Sequence, residues 1–196
     1  MNYEVLELRT NRLIIKKGNK EDFLKVYEYD FNKLKNVDNI CKLVKQDDNK
    51  INELFKKGSK SYYNKIKKAK MFDWIIYINN NPIGNILTTY EDYNNKTIEI
   101  SGNIHPSYWG NGFMPEASLK VIEYLFSLGY DNIISSYLEG NIKAKRVMNK
   151  LGFKPYKIIK DSYISEQGNK LDEYKTILTK EDFLSRTNKI SKIVTY

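Results

Sequence analysis

Short alternating runs and longer helical stripes divide this chain into elements. Leu6-Glu7-Leu8 and Leu13-Ile14-Ile15 flank Arg9-Thr10-Asn11-Arg12 and read as two strands. Asn19 opens a helix: its side chain suits a cap, and Glu21 and Asp22 favour the positive end of the helix dipole. Phe23, Val26 and Tyr27 then recur at helical spacing. Residues 31–70 carry a helical, lysine-rich pattern, with a start at Asp47-Asp48 and an interruption at Gly58-Ser59. Phe72 to Asn79 is β-branched and aromatic and ends in Asn79-Asn80-Asn81-Pro82, a turn signal. Ile83 to Tyr90 returns as a hairpin partner. Thr97 to His105 is the third strand, with Ile98, Ile100, Gly102 and Ile104 on one face and Glu99, Ser101, Asn103 and His105 on the other.

A helix over 115–128 follows, with Ala117, Val121, Ile122, Leu125 and Phe126 as its stripe and Gly129 as its end. Asn132 to Leu138 is a strand. Asn141 starts another helix, closed by Gly152, and Lys154–Ile164 and Leu171–Leu178 form a last hairpin. The segment after Lys180 reads as a polar tail. Helices placed after the third and fourth strands of the sheet require a crossover and local parallel pairing. The expected class is α+β, with a mixed, mostly antiparallel central sheet and flanking helices, as one domain over 1–180 and a tail over 181–196.

The 196 residues suffice for one real core. An apolar content of 41% with 16 tyrosines excludes a disordered chain. No run of about 18 apolar residues offers a membrane span, and no basic-then-apolar leader follows Met1. One cysteine, Cys41, forms no internal disulfide, so a reducing cytosol is expected. The net charge of +9 draws attention to nucleic acid. However, it is spread along the chain except for the lysine run from Lys56 to Lys70, which has no groove-reading motif. Nucleic acid therefore ranks last among partners.

The chemistry concentrates in Tyr108-Trp109-Gly110-Asn111-Gly112-Phe113-Met114-Pro115-Glu116-Ala117. A strand runs through a glycine turn into a helix, which aims backbone N–H groups and a helix N-terminus at one spot and suits a phosphate. The stretch lacks the third glycine and downstream acid of a dinucleotide fingerprint, and the Lys-Ser/Thr ending of a P-loop. A second motif runs from Asn141 to Gly152-Phe153. Neither motif is specific alone; their order and spacing are.

Together they resemble the GNAT acyl-CoA N-acyltransferase superfamily, and Thr10-Asn11-Arg12-Leu13 resembles the opening strand of its ribosomal-protein N-terminal (serine/alanine) acetyltransferase branch. The resemblance implies acetyl-CoA as donor substrate, no metal, and an amine acceptor, which is a protein N-terminus or a small molecule. It implies a pyrophosphate cradle of backbone N–H groups over Trp109, Gly110, Asn111, Gly112, Phe113 and Met114. The strand ending at Ile104 and His105 is expected to splay from Asn132–Leu138, with the pantetheine arm in the gap. Asn141 is expected to bind that arm, and Lys145, Arg146 or Lys150 the phosphates, with Arg146 preferred. Glu99 is the expected general base. His105, the single histidine, competes for that role but reads better as a turn residue.

Two positions depart from the family pattern. Met148 stands where many members carry a tyrosine that protonates the leaving thiolate, and Ala144 where the branch often carries a serine. Neither donates a proton, so either another group acts, with Tyr137, Tyr156 and Tyr174 as candidates, or the thiolate leaves without a dedicated acid, since a thiol is already a fair leaving group near neutral pH. The departure also keeps open a non-catalytic acyl-CoA-binding sensor. The acceptor site is expected among residues 20–70 and near Tyr163–Asn169. A monomer or homodimer is equally compatible with the sequence.

Overall fold

The computed structural model describes residues 5–27, 72–164 and 168–193. The helical pattern of 31–70, the lysine run and Cys41 lie outside the described residues.

Strands β1 (Leu8–Arg9) and β2 (Ile14–Lys16) precede helix α1 (Lys20–Val26). Asn19 caps α1 as expected: its Oδ1 accepts from the Asp22 N–H at 2.8 Å, and the Asp22 carboxylate accepts from the Asn19 N–H. The meander is β3 (Asp73–Ile78), β4 (Asn81–Asp92) and β5 (Thr97–Ile104). Helix α2 (Phe113–Ser127), β6 (Asn132–Leu138) and α3 (Ile142–Leu151) follow. The chain ends in β7 (Lys154–Ile164), β8 (Lys170–Thr179) and α4 (Lys180–Ile193). Among the described residues the eight strands form one sheet in the order β1-β2-β3-β4-β5-β6-β8-β7. Every pairing is antiparallel except β5 with β6. The mixed α+β architecture is the expected one.

The two faces of the sheet are covered differently. The stripe of α2 packs Ala117, Val121, Ile122, Leu125 and Phe126 against Trp74, Ile86, Ile98, Ile100 and Ile133 in the main core. On the opposite face Phe23 and Val26 of α1 pack on Ile75, Tyr77 and Leu87. The Tyr77 hydroxyl also donates to Asp22 at 2.8 Å.

Two differences from the sequence expectations have local causes. Helix α2 starts at Phe113 rather than 115, because Gly112 takes a left-handed φ of 75° as N-cap and turns the chain two residues earlier. The segment after Lys180, expected to be a polar tail, runs on as α4. Its Phe183 is buried against Phe126, with ring centroids 5.3 Å apart. Its Arg186 Nη2 donates to the Lys150 carbonyl in the last turn of α3 at 3.2 Å, satisfying a group that the helix leaves open. Its apolar residues, Phe183, Leu184, Ile190 and Ile193, are too sparse among polar and charged ones to signal a docked helix.

Candidate active site

The site begins where two strands part. β5 and β6 pair in parallel over only three positions, from Thr97–Asn132 to Glu99–Ile134. Both strands then continue, to Ile104 and Leu138, without pairing with each other. Each is held by its outer neighbour instead: β5 by β4 up to Gly84–Ile104, and β6 by β8 up to Leu138–Glu173. A register shift between Thr88 and Tyr90 of β4 lies opposite Ile100 and Glu99, at the level where β5 leaves β6. A bulge of this kind bends a strand and sharpens its twist, which supplies a local cause for the fork. Ser135 Oγ donates to the Ile100 carbonyl at 3.0 Å and ties the two strands at its base.

The fork opens into a cleft of about 790 Å³, within the range of small-ligand sites. Ile104, Trp109, Gly110 and Gly112 line it, together with Phe113 and Met114 at the start of α2. Asn141 and Arg146 line it from α3. Three expected residues stand outside this lining. Asn111 is turned into the loop: its Nδ2 donates to the Tyr108 and Trp109 carbonyls, and its own carbonyl accepts from Arg12. The His105 N–H donates to the Ile83 carbonyl, and its Nδ1 accepts from the Ser107 N–H. Glu99 sits at the base of the fork, one residue before the lining begins at Ile100, with its Oε2 accepting from Lys175 Nζ at 2.8 Å.

The loop has the geometry of an anion cradle. Gly110 (φ 80°) and Gly112 (φ 75°) both adopt the left-handed region, which turns the backbone sharply into α2. The first-turn N–H groups of Phe113 and Met114 have no carbonyl one turn before them to accept, and Pro115 has no N–H to offer. Trp109 contributes its ring rather than its amide: its N–H is spent on Pro106, and its Nε1 donates to the Ile104 carbonyl at 2.6 Å.

Arg12, from the β1–β2 turn, holds the loop from outside. Its Nε donates to Glu116 at 2.8 Å, its Nη2 to the Asn111 carbonyl at 3.1 Å, and its guanidinium lies 4.6 Å from the Phe113 ring centroid. Thr10 donates to the second Glu116 oxygen. Burial acts to raise the Glu116 pKa, but the hydrogen bonds from Arg12 and Thr10 and the Arg12 charge outweigh it and hold the carboxyl below its usual range.

Facing the loop, Asn141 caps α3, its Oδ1 accepting from the Ala144 N–H at 3.1 Å, which leaves the amide nitrogen as its remaining side-chain donor. Of the three basic residues expected near phosphates, Arg146 lines the cleft while Lys145 and Lys150 do not. Of the three candidate tyrosines, Tyr137 lines it, and Tyr174 stacks on Tyr137 with centroids 5.4 Å apart. Tyr156 is exposed on β7. Met148 and Ala144 also line the cleft. Sequence reasoning missed Lys143 and Glu173 as lining residues, while Tyr27 lines the cleft from within the 20–70 region expected for the acceptor. For Lys143 the signal was its spacing of three from Arg146, which puts both on one helix face; Glu173 carried none. Among the described residues no three His, Cys, Asp or Glu side chains gather as a metal site, and no helix is long and apolar enough to cross a membrane.

A sheet split between two parallel strands, with a glycine turn into a helix N-terminus at one end of the split, is the architecture these residues build. Residues 12–154 match the acetyltransferase (GNAT) domain family, and the chain belongs to that family. It is 28% identical over 117 residues to the uncharacterized N-acetyltransferase p20 of Bacillus licheniformis, a match covering 59% of this chain and 65% of that protein. The aligned stretch thus spans just under two thirds of that relative. The fold is similar to that of the ribosomal-protein-S5-alanine acetyltransferase of Vibrio fischeri, with a TM-score of 0.63, 14% identity, and 91% of this chain and 98% of that one covered. It is also similar to yncA of Salmonella typhimurium, solved with its cofactor acetyl-CoA, with a TM-score of 0.59, 17% identity, and 86% and 94% covered.

Proposed function

We propose that this protein is an N-acetyltransferase that moves the acetyl group of acetyl-CoA to a primary amine by direct attack on the thioester. The observation that carries this reading is the fork: β5 and β6 stop pairing at Glu99–Ile134 and enclose a cleft that ends at the Gly110–Met114 cradle. An extended arm lying in the fork meets the backbone groups that β5 no longer shares with β6. The pyrophosphate rests on the first-turn N–H groups of α2. The acetyl group then lies deep in the fork, toward Glu99.

The amine nitrogen attacks the carbonyl carbon, a C–N bond forms, the C–S bond breaks, and sulfur departs as thiolate. Glu99 takes the amine proton through a water: it is the residue of β5 immediately before the lining residues Ile100 and Ser101. Lys175 already occupies Oε2, so Oε1 is the accepting oxygen. Tyr137 is the hydroxyl of the cleft wall assigned to protonate the thiolate, in place of the missing donors at Met148 and Ala144. The acceptor is a protein N-terminus or a small-molecule amine, and the single cysteine fits a reducing cytosol as the site of action.

A screen of primary amines with acetyl-CoA, reading free thiol, tests the assignment. With an accepted amine, Glu99→Gln should lower kcat by about a hundredfold or more while the affinity for CoA stays unchanged. A kcat within threefold of wild type would remove Glu99 from the chemistry. Met148 and Ala144 also favour a second reading, an acyl-CoA sensor; tight acetyl-CoA binding without transfer to any amine selects it.

A further inference from the structure

Of the four basic residues on α3, two point toward the cleft, and one of these already spans it. Lys143 and Arg146 line the cleft. The Lys143 Nζ lies 4.0 Å from the ring centroid of Trp109, the first residue of the glycine loop. The two residues belong to opposite walls: Trp109 precedes the N-terminus of α2, and Lys143 is in the first turn of α3. The indole is itself fixed, because its Nε1 donates to the Ile104 carbonyl at 2.6 Å.

Across the fork, then, a rigid aromatic face presents an ammonium beside the Gly110–Gly112 cradle. The ring attracts the cation by its quadrupole. The oxygens of a pyrophosphate compete with the ring for the ammonium, since charge-assisted hydrogen bonds are the stronger partners.

We infer that Lys143 is a ligand of the donor's pyrophosphate, held beside the cradle by Trp109 and drawn onto the phosphate oxygens when the donor binds. It closes the cradle from the α3 side, where the backbone N–H groups of α2 do not reach. The inference rests on the donor reading above and adds to it a residue that the sequence reading did not assign to the donor. It also explains why the first loop position is a tryptophan whose ring faces the cleft while its amide is spent elsewhere.

Calorimetric titration separates this inference from the reading beneath it. Wild-type protein, Lys143→Gln and Lys143→Arg are each titrated with CoA and with dephospho-CoA, which keeps the pyrophosphate and lacks the 3′-phosphate. Lys143→Gln should weaken both ligands by the same factor, about tenfold, and Lys143→Arg should recover most of the loss. The intrinsic fluorescence adds a signature that a structural role would not give. The protein has two tryptophans, and Trp74 is fully buried in the core. A CoA-induced emission change therefore reports Trp109, and it should shrink in Lys143→Gln. If wild-type protein binds no CoA, the donor reading fails. If wild type binds CoA and Lys143→Gln binds it within twofold, Lys143 is not a ligand and the donor reading stands. A penalty that vanishes with dephospho-CoA overturns the pyrophosphate assignment in favour of the 3′-phosphate.

Discussion

Asp73, at the start of β3, is a carboxyl in a place poor for charge. Burial pushes its pKa up from 3.8 to about 6, opposed by the nearby Lys17 cation, and its Oδ1 is buried with no hydrogen-bond partner. The folded protein thus holds this proton more tightly than the unfolded chain does. The stability it contributes is full below the unfolded value of 3.8 and is lost as pH rises through about 6. Asp73→Asn stays neutral, so it should gain on wild type between about pH 4 and pH 7, by on the order of 2–3 kcal/mol. Urea midpoints of both proteins at the two pH values check this. A difference that is the same at both would mean that Asp73 titrates as an ordinary exposed acid. Nothing in the alternation around Phe72-Asp73-Trp74 marks this residue, because its burial comes from strands and a helix distant in sequence.

At the scale of elements, the β1–β2 turn is coupled to the start of α2. Arg12 and Thr10 grip Glu116 and the Asn111 carbonyl across about a hundred residues of chain. The resemblance of Thr10-Asn11-Arg12-Leu13 to a known opening strand was legible in the sequence, but its partner was not. The coupling makes Arg12 a positioning residue for the cradle. Arg12→Ala should weaken CoA binding by about tenfold, equivalent to about 1.4 kcal/mol of lost preorganisation. The KM for the acceptor amine should not move. Arg12→Lys should fail to restore binding, because a single ammonium cannot reproduce the planar fork that meets Glu116 and Asn111 together. A parallel rise in both KM values would instead indicate general loosening. The same scale explains α4: Phe183 and Arg186 dock it on α2 and α3, and only the assembled helices create the surface it covers.

At the scale of the whole molecule, the proposed donor site joins the two halves of the sheet. The β1–β5 side and the β6–β8 side meet over three residue pairs at the base of the fork. A ligand lying in the fork and gripped at the cradle should stabilise the assembly as a unit. At a hundred times its Kd, acetyl-CoA should add about 2.7 kcal/mol, raising Tm by about 5–10 °C in a domain of this size. Gly112→Val should lose most of that rise, since a β-branched side chain at a φ of 75° strains the turn and crowds the phosphate approach. Scanning calorimetry with and without donor reads both. An unchanged rise in a folded Gly112→Val protein would contradict the cradle.

By itself the sequence determined the strands and helices on either side of the site, the glycine turn into α2, the cap at Asn141 and the family. These are local properties: period, turn chemistry and short motifs act over a few residues. The tertiary structure alone decided where β5 and β6 part, that Lys175 meets Glu99, that Arg12 braces the loop and that Lys143 rests on Trp109. Each of these joins groups that are distant in the chain. Their meeting depends on strand order, on the bulge in β4 and on the packing of α2 and α3, which no local pattern encodes.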